Sequence, residues 1–329
     1  MDRRKLETPE LTLAGAQGLI VVDEAQRMPD LFPALRVLLD APDWAGRLLL
    51  TGSASPSLAR GLSESLAGRV GVMDLGGFDL TEVDTRNLRK LWLRGGFPRS
   101  YLAKSLDASA DWRDSFVRTF LERDLPQLGI TIAATTMRRF WSMLAHYHGQ
   151  TWNAAELGRS LGADEKTARR YLDILAGAFV VRVLPPWFEN LKKRQVKSPK
   201  VYVRDSGLLH ILHDIRTEDD LTGHPKLGAS WEGFVVEQLL SHIPSRQAYY
   251  WATHAGAELD LLVMLHGKRY GFECKYGDAP RATKSMRVAV ADLGLEHLSV
   301  LYPGTERYAL DANISVAPAR DIPVLREEL

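Results

Sequence analysis

Gly18-Leu19-Ile20-Val21-Val22-Asp23-Glu24 is the stretch on which the fold turns, a short apolar run closed by two adjacent carboxylates. An apolar run of this length without alternation suits a strand buried on both faces, as in a parallel sheet. A carboxylate at the end of such a strand can orient Mg²⁺ through water beside a nucleotide's phosphates, and the next carboxylate can polarise the attacking water. The run therefore reads as a Walker B strand, with Asp23 in the metal role and Glu24 in the catalytic one. The alternative is two acids favouring a helix N-terminus.

The phosphate-cradling loop GxxxxGK[ST] is expected tens of residues upstream of such a strand. Seventeen residues precede Gly18 in this sequence, and the one Gly-Lys pair, Gly267-Lys268, has Leu262 in place of the first glycine and Arg269 in place of Ser or Thr. The expectation is a water-activating half-site without its phosphate-binding half, and weak ATP binding. ATP is expected as cofactor only if the native polypeptide carries that loop.

Working outward, residues 47–51 and 70–75 read as further strands. Leu31, Leu35, Leu38 and Leu39 recur at helical spacing and predict a crossover helix opening near Pro33, while Leu58, Leu62 and Leu66 predict another helix. Thr51 and Ser53, at the end of the second strand, are candidate sensor groups for the γ-phosphate, and Arg69 is a candidate charge stabiliser; a plain turn is the alternative for 51–53. From residue 80 to 148 helical patterning dominates, with Trp112, Phe116, Phe120 and Leu121 on one stripe.

The 329 residues allow two or three domains, and 45% hydrophobic with 25% charged residues is ordinary for a soluble globular chain. A net charge of +1 leaves any case for nucleic acid to local patches, and the single Cys274 excludes an intrachain disulfide framework or a Cys-rich zinc cluster. No membrane span or signal peptide is expected, and a cytoplasmic location fits.

Residues 151–186 follow another pattern. Asn153 with Glu156 resembles a capping box, a short helix ends at Leu161-Gly162, and Asp164 opens a second helix with Ala168, Tyr171, Leu172 and Leu175 on one face. A β-rich run, 179–184, follows and stops at Pro185-Pro186. Helix, tight glycine turn, helix, strand is the order of a winged helix-turn-helix. Lys166, Arg169 and Arg170 lie off its apolar stripe and are candidates for DNA contact; protein docking is the alternative. Residues 190–204, with Lys192, Lys193, Arg194, Lys197, Lys200 and Arg204, form one concentrated basic run.

In the C-terminal third, a helix over 230–242 precedes a hairpin, 257–265 and 269–275, with Gly267 suited to the first central position of a type II′ turn. That register places Asp260 opposite Lys275, with Glu273 two positions along on the same face. An Asp among Leu259, Leu261 and Leu262 is costly to bury unless paired or metal-bound. Asp260 followed by Glu273-Cys274-Lys275 matches the D…(E/D)xK pattern of restriction-endonuclease-like folds. There the carboxylates hold Mg²⁺ and the lysine orients the water or stabilises the pentavalent phosphate. Glu232 on the preceding helix is a candidate to complete the metal set. A cross-strand salt-bridge cluster is the alternative.

The stretches 19–27, 49–55 and 65–69, with Arg94-Gly95-Gly96-Phe97-Pro98, Glu122-Arg123-Asp124, 200–208 and Glu273-Cys274-Lys275, closely resemble a family of prokaryotic AAA-type ATPases with a C-terminal domain of unknown function. The resemblance implies an α/β multidomain chain: a partial P-loop AAA-type core over 1–80, a helical lid over 81–150, a winged helix over 151–189 and a restriction-endonuclease-like domain over 190–329. It implies a nucleic-acid-associated protein with a Mg²⁺-dependent nuclease-like site. The alternatives are a non-catalytic DNA- or protein-binding regulator, assembling with itself or a partner, and a complete ATPase whose start lies upstream.

Overall fold

The structure is a computed structural model and describes residues 8–28, 30–52, 64–188, 194–243 and 247–328. The chain divides into two compact units, residues 1–75 with 124–131 and 177–179, and the remainder from 76 to 329.

In the first unit β1 (Gly18–Val22) and β2 (Gly46–Leu50) pair in parallel, from Gly18 with Gly46 to Val22 with Leu50. Helix α1 (Pro9–Leu13) precedes them and α2 (Leu31–Asp40) connects them, as the leucine spacing predicts. The helix buries Leu31, Phe32, Leu35 and Leu38 against Leu13, Val22, Ala25 and Leu66. Leu19, Val21 and Leu49 on the strands stay exposed. Parallel sheets are ordinarily covered on both faces, so among the described residues this one is half-covered. Residues 70–75 form no strand: Val70, Val72, Met73 and Leu75 are exposed, and the sheet has two strands among the described residues. An apolar run becomes a strand only where a neighbouring edge accepts its hydrogen bonds. The helix predicted from Leu58, Leu62 and Leu66 falls largely outside the described residues, although Leu66 is buried.

The second unit opens with helices α3 (Leu88–Arg94), α4 (Leu106–Thr119) and α5 (Ala134–His146). The aromatic stripe is present, with Trp112 stacked on Phe116 at 5.4 Å and Phe116 on Phe120 at 6.0 Å between ring centroids. Helix α6 (Ala154–Leu161) starts on the Asn153 carboxamide, which accepts from the Glu156 N–H, and stops at Gly162 in the left-handed region, φ 77°. Helix α7 (Glu165–Gly177) starts on Asp164, which accepts from the Thr167 N–H at 2.7 Å, and buries Ala168, Leu172 and Leu175. A small antiparallel sheet combines β3 (Gln150–Thr151), β4 (Val181–Leu184) and β5 (Lys200–Val203) in the order β3-β5-β4.

Two sequence motifs lock together next. Asp205 caps α8 (Ser206–Leu212) by accepting from Leu208 N–H at 2.8 Å, and it also accepts from Gly96 N–H at 2.7 Å. The approach is so close that a Cβ on Gly95 would stand 2.1 Å from Asp205 Oδ1. Buried Arg113 donates to the carbonyls of Leu93 and Gly207. His210 bonds Leu93 O at 3.0 Å through Nδ1 and Ser230 Oγ at 2.7 Å through Nε2. A carbonyl only accepts, so Nδ1 carries a proton. Burial lowers the His210 pKa to about 3.

The largest layer is a six-stranded sheet, β6 (Ala248–Ala252), β7 (Glu258–Leu265), β8 (Lys268–Cys274), β9 (His297–Tyr302), β10 (Tyr308–Asp311) and β11 (Ile314–Pro318), ordered β10-β11-β9-β8-β7-β6. Strands β6, β7 and β8 run as an antiparallel meander, and β9 joins β8 in parallel. Helix α9 (Leu227–His242) packs Trp231, Phe234, Val235 and Leu239 with Leu261, Val263, Phe272 and Leu301. Helix α10 (Lys284–Leu293) packs Met286, Ala289 and Leu293 with Leu259, Leu262, Leu298 and Val300. Among the described residues no helix is long and apolar enough to cross a membrane.

The β7–β8 turn corrects the sequence expectation. Leu265 pairs with Lys268 and Leu261 with Phe272, so the loop is His266-Gly267, with φ of 50° and 78°. Two positive φ values are what a type I′ turn requires, in place of type II′ at Gly267-Lys268. The register moves by two residues, and Asp260 does not stand opposite Lys275.

Candidate functional site

The carboxylate cluster of the second unit gathers where β7 and β8 part. Tyr249 pairs with Leu262 but Trp251 with Leu259, so β7 carries one extra residue at Asp260-Leu261. Such a bulge bends a strand and re-aims its side chains. The β7–β8 ladder ends at Leu261–Phe272, and beyond it Asp260 Oδ2 accepts from the Cys274 N–H at 2.9 Å. That bond sets Asp260 against the segment carrying Glu273 and Lys275. Lys275 Nζ lies 2.6 Å from Glu273 Oε1, while Glu273 Oε2 is buried without a hydrogen-bond partner among the described residues.

A second lysine, hidden within the basic run, completes the cluster. Lys200 is only 3% exposed, and its Nζ lies 2.9 Å from Glu232 Oε1, 2.5 Å from Glu258 Oε1 and 3.5 Å from Asp260 Oδ1. Tyr202, two residues along β5 and therefore on the same side, donates its hydroxyl to Glu232 Oε1 at 2.7 Å. Arg204, also in that run, pairs with Glu237 at 3.2 Å. Residues 200–204 thus turn charges inward. Alternation of Lys200, Tyr202 and Arg204 with Val201 and Val203 was the available signal; the density of positive charge masked it.

The electrostatics follow from burial. Glu273 is pushed up to about 8 by burial and then by the Asp260 charge, with the Lys275 ammonium pulling the other way. Glu232 is pushed up to about 7 by burial and by Asp260, against Lys200 and the Tyr202 hydroxyl. Burial opposes the charge of Lys200, but Glu232, Tyr202, Asp260 and Glu258 outweigh it and raise its pKa well above the usual value. Asp260, Glu232 and Glu273 supply the oxygen donors that suit a hard cation. Among the described residues no three His, Cys, Asp or Glu side chains already stand at metal-ligating positions.

In the first unit the Thr51 hydroxyl donates to Asp23 Oδ1 at 2.6 Å, and the Glu24 N–H donates to the same oxygen at 3.0 Å. The Thr51 N–H bonds Val22 O, so the parallel pairing itself brings the two strand ends together. Glu24 takes a left-handed conformation, φ 55°, and accepts from Gln26 Nε2. Arg69 is bound through Nε and NH2 to both oxygens of Asp40, at 2.6 and 2.8 Å. That pairing holds the Asp40 carboxyl below its ordinary pKa. Ser53 lies outside the described residues, as do Lys192 and Lys193.

Lys166, Arg169 and Arg170 all lie exposed on α7, with Arg169 paired to Glu165 one turn away at 2.6 Å. Arg194 is exposed as well.

The sequence matches the family model described as AAA domain over residues 2–84, Domain of unknown function (DUF8612) over 85–219, and Domain of unknown function (DUF4143) over 227–322. Two relatives, "Uncharacterized protein Rv2008c" of Mycobacterium tuberculosis and "Uncharacterized protein Mb2031c" of Mycobacterium bovis, are each 53% identical over 322 residues, 98% of this chain and 73% of the relative. A solved structure, "Crystal structure of protein VC1899 from Vibrio cholerae", aligns over 99% of this chain and 94% of its own at 11% identity, but a TM-score of 0.21 gives it no bearing on the fold.

Proposed function

This chain belongs to the AAA-type family of those mycobacterial proteins, and on that premise we propose that its second unit carries a Mg²⁺-dependent phosphodiesterase centre acting on nucleic acid. The observation that carries the reading is the Asp260–Glu273–Lys275 cluster at the parting of β7 and β8, with Glu273 Oε2 buried and without a hydrogen bond among the described residues. The order helix α9, meander β6-β7-β8, helix α10, parallel β9 supports reading this layer as a restriction-endonuclease-like core. Asp260 and Glu273, with Glu232 beside them, would hold Mg²⁺, and the ion would polarise the scissile phosphate. Lys275 orients the attacking water or meets the phosphate's developing charge. Helices α6 and α7 with β4 act as a winged helix, presenting Lys166, Arg169 and Arg170 to DNA, with Lys192, Lys193 and Arg194 in the following segment.

In the first unit, Asp23 with Thr51 and Glu24 form the Mg²⁺ and water side of a nucleotide site, with Ser53 and Arg69 as further γ-phosphate groups. ATP hydrolysis there needs a phosphate-binding loop in the native polypeptide. The open apolar face of Leu19, Val21 and Leu49 would suit further elements of such a sheet.

A non-catalytic regulator is the second reading, favoured by the way Lys200 and Lys275 already neutralise part of the cluster. Incubation of plasmid and single-stranded DNA with Mg²⁺ or Mn²⁺ separates the two. Cleavage abolished by Asp260→Ala supports the phosphodiesterase; DNA binding without cleavage, unchanged in that variant, supports the regulator.

A further inference from the structure

We propose that Lys200 is the built-in cation of the carboxylate site, holding Glu232 and Asp260 in the positions a divalent ion would claim and competing with it for them. The inference rests on the reading of Asp260 and Glu273 as a divalent-cation site.

The ammonium is shared among three carboxylates, at 2.5 Å from Glu258, 2.9 Å from Glu232 and 3.5 Å from Asp260. Lys275 is committed to Glu273 at 2.6 Å. Four carboxylates therefore face two ammonium groups, and with all of them ionised two negative charges remain, which one divalent ion balances. Glu273, itself 6% exposed, keeps one buried oxygen without a hydrogen bond among the described residues, an acceptor for which the cluster supplies no donor.

Lys200 reaches the cluster from β5, within the segment matching the first domain of unknown function, whereas Glu232, Asp260 and Glu273 all lie in the segment matching the second. The lysine is thus delivered by a separate part of the fold, and the small sheet β3-β5-β4 fixes its position. Like charges repel strongly at a few ångströms where water is excluded. An ammonium held there weakens binding of a second cation, and a divalent ion that does bind pushes the lysine aside.

The test is equilibrium Mn²⁺ binding to the full chain, followed by electron paramagnetic resonance of the free ion, for the wild type, Asp260→Asn and Lys200→Met. Binding lost in Asp260→Asn and at least tenfold tighter in Lys200→Met is the expected result. Asp260-dependent binding that is equal or weaker in Lys200→Met overturns the role of Lys200 and leaves the cation site standing. No Mn²⁺ binding in any of the three proteins overturns the site and this inference with it. Should Lys200→Met fail to fold, acylation of Lys200 in the wild type, read by peptide mass spectrometry, supplies the answer. Labelling should rise severalfold at Mn²⁺ concentrations that saturate the site, and unchanged labelling there would overturn the competition.

Discussion

Lys200 Nζ stands 2.9 Å from Glu232 Oε1, a buried ammonium paired with a partly buried carboxylate between a short strand and a helix of the second unit. A charge that far from solvent is tolerated because it is paired, so the pair is a structural commitment as well as a feature of the site.

Glu232→Gln should therefore destabilise the second unit by about 1–3 kcal/mol, since Lys200 keeps Glu258 and Asp260 but loses the charge of its partly buried partner Glu232. Urea unfolding near pH 7.5 measures this. A change below about 0.5 kcal/mol would mean that the remaining carboxylates fully compensate.

Backbone space at the motif junction gives a paired prediction. Gly95 has φ 75° and a Cβ there would meet Asp205 Oδ1 at 2.1 Å, whereas Gly162 has φ 77° and nothing within 4 Å. Gly162→Ala should cost about 1 kcal/mol, the conformational penalty alone, and Gly95→Ala more than about 2 kcal/mol because packing is lost as well. Equal unfolding midpoints for the two variants would contradict the junction as described.

Acid should unfold the second unit through His210. Its folded pKa of about 3 lies below the ordinary value near 6.5, so the unfolded chain takes up the proton first. The neutral ring's contribution is fully present above pH 6.5 and declines as pH falls toward 3. At pH 5 the loss from this one residue is about 2 kcal/mol. Urea midpoints between pH 7.5 and 4.5 should fall with decreasing pH, and less steeply in His210→Gln; identical slopes would remove His210 from the account.

These outcomes bear on what could be read from residues alone. The Gly18–Val22 strand, the following leucine helix, the Asn153 cap and the Gly162 stop are local patterns, and each appears at its expected place. The hairpin was legible as alternation, but its register depended on His266 taking a positive φ, which is uncommon outside glycine. A shift by two preserves strand faces, so Asp260, Glu273 and Lys275 still converge despite the different turn. The bulge at Asp260-Leu261 and the inward turn of Lys200 depend on contacts with distant segments, and no local spacing encodes them.

If α7 faces DNA, replacing Lys166 and Arg170 together by Glu should weaken binding to duplex DNA at least tenfold at low salt and flatten its salt dependence, since each cation contributes counterion release. Fluorescence anisotropy across a salt series reads both effects. Unaltered affinity would place the contact elsewhere or assign the helix pair to protein docking.

The most direct measurement is the Mn²⁺-dependent nicking rate of supercoiled plasmid by the wild type, Asp260→Asn and Lys275→Met, compared in one preparation alongside their unfolding curves. The phosphodiesterase reading predicts nicking by the wild type and a loss of at least a hundredfold in both variants while they remain folded. Nicking that persists in folded Asp260→Asn, or its absence from the wild type with both Mg²⁺ and Mn²⁺ on every DNA form, would contradict it.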